Sequence, residues 1–214
     1  MNCLLRTVAV GSLGANCSVL ACAATREALV VDPGGDAGAI LALLDEMQVR
    51  AVLIAHTHGH FDHIMGTREV AASTKAPVAI HGRDLDLYRN LVRAARVYRL
   101  AAEPPPPVQQ VWVGGETLRF GQLSARVLHT PGHTPGSVGL YIEDVNGRPL
   151  LLAGDTLFAG GIGRTDSPGG SHEQIVRSIR DVLYKLPPET VVIAGHGEDT
   201  TIGEERTNNP FVRA

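Results

Sequence analysis

Apolar and polar positions along the chain follow two periods, and their order predicts layered strands and helices. Leu4–Val10 and Cys17–Ala23 flank Gly11-Ser12-Leu13-Gly14, the pattern of a β-hairpin. Ala28–Val31 is a short apolar run ending in Asp32-Pro33-Gly34-Gly35, a buried strand followed by a turn. Behind Asp36, a candidate cap, Ala37, Ile40, Leu41, Leu44 and Met47 recur at helical spacing. Ala51–Ala55 is a further apolar strand, Phe61–Ser73 reads as a helix, and Val78–Ile80 as a strand. Arg83–Leu100 is expected to be helical, with Tyr88, Leu91, Val92 and Ala95 on one face, until Pro104–Pro107 imposes a stiff extended segment. Strands then dominate: Gln110–Val113, Glu116–Phe120, Ser124–His129, Ser137–Glu143 and Pro149–Ala153. A last amphipathic helix is predicted over Glu173–Leu186, with Ser171 and Gln174 at capping-box spacing, before the strand Thr190–Ile193. Strand and helix thus alternate in an α/β layered (α+β) arrangement. No linker is flexible enough to separate domains, so residues 1–214 are read as one domain with a helical, proline-rich insertion over about 82–110.

Composition narrows the class. Apolar residues make up 44% of 214 and aromatics only 4%, so the core is expected to be aliphatic. A net charge of −3 argues against a nucleic-acid binder relying on a basic surface. Cys3, Cys17 and Cys22 are odd in number and form no C-x-x-C pair, which favours a reducing compartment, and the cytoplasm is the expected location. Thr7–Thr25 lacks charged side chains, but Gly11, Ser12, Gly14, Asn16 and Ser18 interrupt it, and it reads as the hairpin rather than a signal peptide or anchor. No membrane association is expected.

The chemistry concentrates in four loops that follow apolar strands. His56–His63, HTHGHFDH, places four histidines and an aspartate in eight positions. His129–Ser137, Ala153–Phe158 and Ala194–Gly197 add His133, Asp155 and His196. Strand ends in layered α/β folds gather along one edge, where the four loops could meet. In extended backbone His58 and His60 point the same way and can reach one metal, while Asp62 and His63 diverge from them and can serve a second. Imidazole with carboxylate suits zinc, iron or manganese, and Asp155 could bridge two cations. A single histidine is more often structural, but four metal-capable groups within six residues have no easy packing role.

Thr57-His58-Gly59-His60-Phe61-Asp62-His63 resembles the signature of the metallo-β-lactamase fold superfamily, as do Pro131-Gly132-His133-Thr134, Gly154-Asp155-Thr156, Gly195-His196-Gly197 and Asp32-Pro33-Gly34, in the expected order. The likeness starts near Val8 and covers nearly the whole chain, Asn16-Cys17 included, which strengthens the case against a cleaved signal. It implies an αββα sandwich of two mixed β-sheets flanked by helices. It also implies His58, His60 and His133 on one metal, Asp62, His63 and His196 on the other, and Asp155 between them. Gly161–Asp166 and Thr201–Phe211 are similar to the short bacterial glyoxalase-II-like (hydroxyacylglutathione hydrolase-like) hydrolases. Glyoxalase II carries an additional helical domain that supplies thiol-binding residues, and this chain ends about where that domain would start.

The resemblance therefore implies a thioesterase with two divalent metal ions, zinc above all, cleaving S-D-lactoylglutathione or a related 2-hydroxyacyl thioester by attack of a metal-bridged hydroxide. Asp62 and Asp155 are the expected catalytic carboxylates. Arg164 stands where glyoxalase II has a substrate-contacting lysine, although an ion pair with Asp166 is equally open. Arg89, Arg93 and Arg96 form a basic stripe, read as a solvated face and alternatively as a surface for an acidic thiol conjugate. Tyr88 and Tyr98 are expected in the core rather than in a pocket. His56 and Asp32 are expected to support ligand histidines rather than bind metal, and His129 likewise. His81 and His172 read as surface or capping positions.

Other readings stay open. A persulfide dioxygenase shares H-x-H-x-D-H but uses one iron, at positions matching His58, His133 and Asp155. Against a β-lactamase stands Asp155, against a nuclease the absence of a basic exosite, and against the flavodiiron type His60, where that type has Glu. A non-enzymatic metal-dependent module is the last alternative.

Overall fold

A computed structural model describes residues 2–213. The hairpin forms from β1 (Cys3–Val10) and β2 (Ala15–Cys22), paired Val10 to Ala15 through Cys3 to Cys22. β3 (Glu27–Val31) adds antiparallel to β2, and β4 (Arg50–Ala55), β5 (Val78–His81) and β6 (Gln110–Trp112) follow in parallel. The first sheet therefore runs β1-β2-β3-β4-β5-β6. Gln110–Trp112, grouped by sequence with the strand-rich second half, returns to this sheet as its edge.

The second sheet has β7 (Thr117–Phe120), β8 (Leu123–His129), β9 (Val138–Val145) and β10 (Arg148–Gly154) as an antiparallel meander. A small hairpin, β11 (Leu157–Phe158) with β12 (Gly161–Ile162), follows. β13 (Val191–Ala194) then lies parallel to β10, and β14 (Thr200–Thr201) closes the edge.

Both sheets are mixed, and side chains alternate between two cores. Leu20, Leu29, Val31 and Leu53 meet Phe120, Val127, Leu140 and Leu152 between the sheets. On the outer face of the first sheet, Val19, Val30, Ile54 and Ile80 pack under helices α1 (Ala37–Met47), α3 (Thr67–Thr74) and α5 (Leu91–Val97). On the outer face of the second, Leu151, Ala153 and Val192 meet α6 (His172–Asp181) and α7 (Ile202–Asn208). Strands buried on both faces read as continuous apolar runs, which is why Ala28–Val31 and Ala51–Ala55 lack alternation. The result is an αββα sandwich of two mixed sheets flanked by helices. Among the described residues no helix is long and apolar enough to cross a membrane.

Several helices differ from the periodicity. Phe61–Ser73 is broken into α2 (Phe61–Ile64) and α3, because the Gly66 N–H leaves the helical ladder and donates to Pro33 O at 2.8 Å. Arg83–Leu100 splits at Asn90 into α4 (Leu85–Arg89) and α5, after a 3₁₀ turn over Gly82–Asp84. Glu173–Leu186 ends as α-helix at Asp181 and continues as the 3₁₀ turn Leu183–Lys185, while Ser171 Oγ accepts the Gln174 N–H as the capping pattern predicts. Asp36 does not cap α1. It is left-handed, and its carboxylate instead accepts the Gly11 N–H at 2.8 Å, tying the hairpin turn to the helix start. Tyr88 is buried, with its hydroxyl on Pro106 O, whereas Tyr98 is half exposed and rests on the Phe61 ring at 4.6 Å rather than in the core.

Candidate metal centre

β3, β4, β8, β10 and β13 all end toward the same edge, and each delivers part of one cluster. The loop after β4 carries His58 and His60 and runs into α2, which carries Asp62 and His63; the loops after β8, β10 and β13 bring His133, Asp155 and His196. Ligand atoms of His58, His60 and His133 lie within 4.8 Å of one another, as do those of Asp62, His63 and His196. His60 Nδ1 is 2.8 Å from His133 Nε2, and His63 Nε2 is 3.2 Å from His196 Nε2. Asp155 stands between the two groups, Oδ1 3.4 Å from His63 Nε2 and Oδ2 3.6 Å from His133 Nε2. Asp62 Oδ2 is 3.3 Å from His196 Nε2.

Backbone and side-chain partners aim these rings. Asp32, in a left-handed conformation at the end of β3, accepts the Thr57 N–H at 2.8 Å and the Thr57 hydroxyl at 2.5 Å, and lies 3.1 Å from His63 Nδ1. With Thr57 Oγ1 donating to Asp32, the same oxygen accepts from His58 Nδ1 at 3.0 Å, leaving His58 Nε2 as a lone pair facing the cluster. His133 Nδ1 donates to the Arg164 carbonyl at 2.8 Å, which exposes its Nε2 lone pair in the same way. Asp32 also lies with His58 and His63 in a compact group, but its oxygens are taken up by Thr57 and His63, so it orients ligands and does not offer one.

The electrostatics of the cluster suit a divalent cation. His58 Nε2 and Asp155 Oδ1 are buried without a hydrogen-bond partner, a costly state for polar atoms. Burial, with the imidazoles around it, holds His58 far below the usual histidine range, and burial beside His133 pushes His60 down to about 4. His63 goes the other way: burial alone would lower it, but Asp155 and Asp32 outweigh that and raise it well above the usual histidine range. Asp155 is brought down to about 2, burial being outweighed by His63, His133 and His196. Two carboxylates beside these rings call for positive charge, and a divalent cation would meet that demand together with the inward lone pairs. The donor set fits such ions.

The remaining residues lie around this cluster. His56 is fully buried beneath it, with Nε2 3.2 Å from Thr67 Oγ1 and Nδ1 3.8 Å from Asp32. Burial pushes its pKa to about 4. His129 stacks on His81 at 4.3 Å, and its Nε2 donates to Pro135 O, outside the cluster. His81 is buried rather than exposed, and its Nδ1 accepts the Arg83 N–H at the 3₁₀ turn. The Arg164 guanidinium forks onto Asp166 at 2.8 and 3.0 Å, so its shown contact with the cluster is through its carbonyl. Arg89, Arg93 and Arg96 are exposed.

Sequence reasoning named Thr57 in the signature and Asn16 in the hairpin but gave neither a role at the site. The Asn16 amide donates to Ala194 O and Gly197 O, and its N–H to Gly195 O, so the hairpin clamps the His196 loop. The signal for Thr57 was its place between a strand end and His58; nothing local marks Asn16, whose partners lie about 180 residues away.

The chain belongs to the metallo-β-lactamase superfamily, whose sequence profile matches residues 10–196, and it shares that family's metal-dependent hydrolase architecture. The protein named hydroxyacylglutathione hydrolase GloC from Haemophilus influenzae is 34% identical over 191 residues, 88% of this chain and 89% of its own length. Among solved structures, the BLEG-1 B3 metallo-beta-lactamase superposes with a TM-score of 0.88 at 34% identity, covering 99% of this chain and 100% of that one. TTHA1623, solved in a di-iron-bound form, gives 0.86 at 36% identity, covering 97% and 100%.

Proposed function

We propose that the chain is a dinuclear metallo-hydrolase of glyoxalase II type, a thioesterase acting on S-D-lactoylglutathione or a related 2-hydroxyacyl thioester. The observation that carries the dinuclear reading is the position of Asp155, within 3.6 Å of a ligand nitrogen from each triad. The likeness to GloC over nearly the whole length of both proteins supports the substrate class.

Two divalent ions, zinc, iron or manganese, would supply the Lewis acidity that makes water nucleophilic near neutral pH and that offsets charge developing on a carbonyl oxygen. His58, His60 and His133 would hold one, Asp62, His63 and His196 the other, and Asp155 both. Asp62, whose Oδ2 lies 3.3 Å from His196 Nε2, would orient the attacking water and accept its proton. His63 is aimed by Asp32, and His133 by the Arg164 carbonyl, so neither ring reorganises during turnover. A thiol leaving group has a free pKa of roughly 8.5 and departs without a dedicated acid. A substrate carboxylate that used the Arg164 guanidinium would compete with Asp166 for it.

The likeness to BLEG-1 favours a second reading, hydrolysis of a β-lactam amide, in which the amine leaving group needs a proton that a thiolate does not. Metal-analysed protein assayed against a thioester panel, a β-lactam and, by oxygen uptake, glutathione persulfide separates the readings. The expected result is two ions per chain and fastest turnover of a 2-hydroxyacyl thioester, reduced roughly 100-fold or more in Asp155→Ala. Thioester turnover unchanged in Asp155→Ala rejects the bridging role, and β-lactam turnover exceeding every thioester rejects the substrate class.

A further inference from the structure

Asp84, at the end of the 3₁₀ turn after β5, is fully buried, and nothing in the mechanism above uses it. Its carboxylate is surrounded by donors from two different loops. Oδ2 accepts the Gly59 N–H at 2.8 Å and the Thr134 hydroxyl at 2.7 Å; Oδ1 accepts the Gly136 N–H at 2.7 Å. Gly59 is the single residue between His58 and His60. Thr134 follows His133 directly, and Ser137 Oγ supports it at 2.7 Å. The approach is close enough that a Cβ on Gly136 would stand 2.6 Å from Asp84 Oδ1. Two of the donors on Asp84, Gly59 and Thr134, thus adjoin His58, His60 or His133 directly, the third, Gly136, lies in the same loop as His133, and none adjoins Asp62, His63 or His196. The latter group is anchored elsewhere, by Asp32 on His63 and by Asn16 on the His196 loop.

We propose that Asp84 is the positioning residue of one metal only: it clamps the Gly59 and Thr134–Gly136 backbones together and so sets the spacing of His58 and His60 against His133. The inference rests on the reading of the cluster as two metal sites and not on the identity of the substrate. Asp84 then serves the His58–His60–His133 site alone, whereas Asp32 reaches both sites, through His63 directly and through Thr57 to His58. A carboxylate accepts from three donors at once, whereas an amide in its place turns a donor toward at least one of them. Asp84→Asn therefore preserves the volume and opens the clamp.

The test measures Zn2+ affinity by competition with a chromophoric chelator in two single-site backgrounds, with elemental analysis of the wild type as reference. In His196→Ala, which retains His58, His60 and His133, adding Asp84→Asn is expected to weaken Zn2+ binding roughly 10–100-fold, the usual loss when a group that holds a ligand is removed. In His60→Ala, which retains Asp62, His63 and His196, the same change is expected to leave affinity within about twofold, as for independent sites. Equal losses in both backgrounds make Asp84 a general support of the fold and overturn the proposal, as does no loss in either. If circular dichroism shows Asp84→Asn unfolded, Thr134→Val decides. It removes one donor, with an expected loss of roughly 2–10-fold confined to the His196→Ala background. The same loss in both backgrounds, or none, overturns the proposal. A wild-type chain that binds no Zn2+ overturns the metal-centre reading and this inference with it; two ions bound to the wild type with Asp84→Asn unaffected overturns this inference alone.

Discussion

At the scale of single residues, the centre depends on space as much as on ligands. Gly195 precedes His196, and a Cβ there would overlap Asp155 Oδ1 and stand 3.0 Å from His63 Cε1. No rotamer of a flexible neighbour relieves this, because Asp155 and His63 are themselves fixed by the cluster. Gly195→Ala is expected to push Asp155 from between the two triads while leaving every ligand in the chain. Misplacement by about 1 Å costs roughly 100-fold in rate, so thioester turnover should fall by that order, with bound metal reduced from two ions toward one. Steady-state kinetics with elemental analysis checks it; a variant with both ions and full activity rejects Asp155 as the bridge. Histidine identity was legible at this scale, since the crowding of His58, His60 and His63 around Asp62 has no packing explanation. Asn16 was not, because its role arises from a contact with the far end of the chain.

At the scale of elements, the sheet that carries His196 is held by its neighbours α6 and α7. The Tyr184 hydroxyl, in the 3₁₀ turn after α6, is shared between Glu205 O at 2.9 Å and Val212 O at 3.1 Å, fastening α7 and the tail to the sandwich. Tyr184→Phe is expected to cost about 1–2 kcal/mol by urea denaturation at pH 8. Burial, with Glu205 nearby, raises the Tyr184 phenol to about 12. A phenol raised from 10 contributes stability that is complete below pH 10 and is lost as pH rises through 12, since the unfolded chain ionises first. The wild type should therefore lose stability relative to Tyr184→Phe between pH 10 and 12; a gap between the two that stays constant or widens across that window contradicts the assignment. Periodicity predicted the presence of these helices but not their breaks. The split at Gly66 comes from a tertiary partner, Pro33 O, that overrides helical spacing, whereas at Asn90 the side-chain amide donates to Asp86 O within its own turn.

At the scale of the whole molecule, metal and fold are linked, because the ligands come from strands of both sheets and converge only in the folded chain. Ions that bind the native state alone stabilise it by mass action, about 3 kcal/mol at a hundredfold excess over Kd. For a chain of this length that corresponds to a fall in Tm of roughly 5–10 °C on removing metal with a chelator. A second comparison isolates the crowding. His60→Ala is expected to lower Tm in zinc-loaded protein, yet to leave the metal-free protein as stable or more so, because it relieves a buried cluster of acceptors that lacks its cation. Scanning fluorimetry of both variants in both states tests this. A metal-free wild type clearly more stable than metal-free His60→Ala argues that the imidazoles are held together by something other than the need for a cation.

Local sequence alone determined the type of most elements, the aliphatic character of the core and four of the seven candidate metal ligands, since each of these is written in residues within one turn or one loop of each other. Strand periodicity reaches that far because side-chain direction is a local property of the backbone. Only the tertiary structure decided that Gln110–Trp112 closes the first sheet, that Asp36 serves the hairpin turn instead of its helix, that Tyr98 lies at the surface and that Asp84 and Asn16 hold loops distant in sequence. Those outcomes depend on which backbone donors and acceptors meet across the sandwich, and a buried polar group is satisfied by whichever partner packing brings to it.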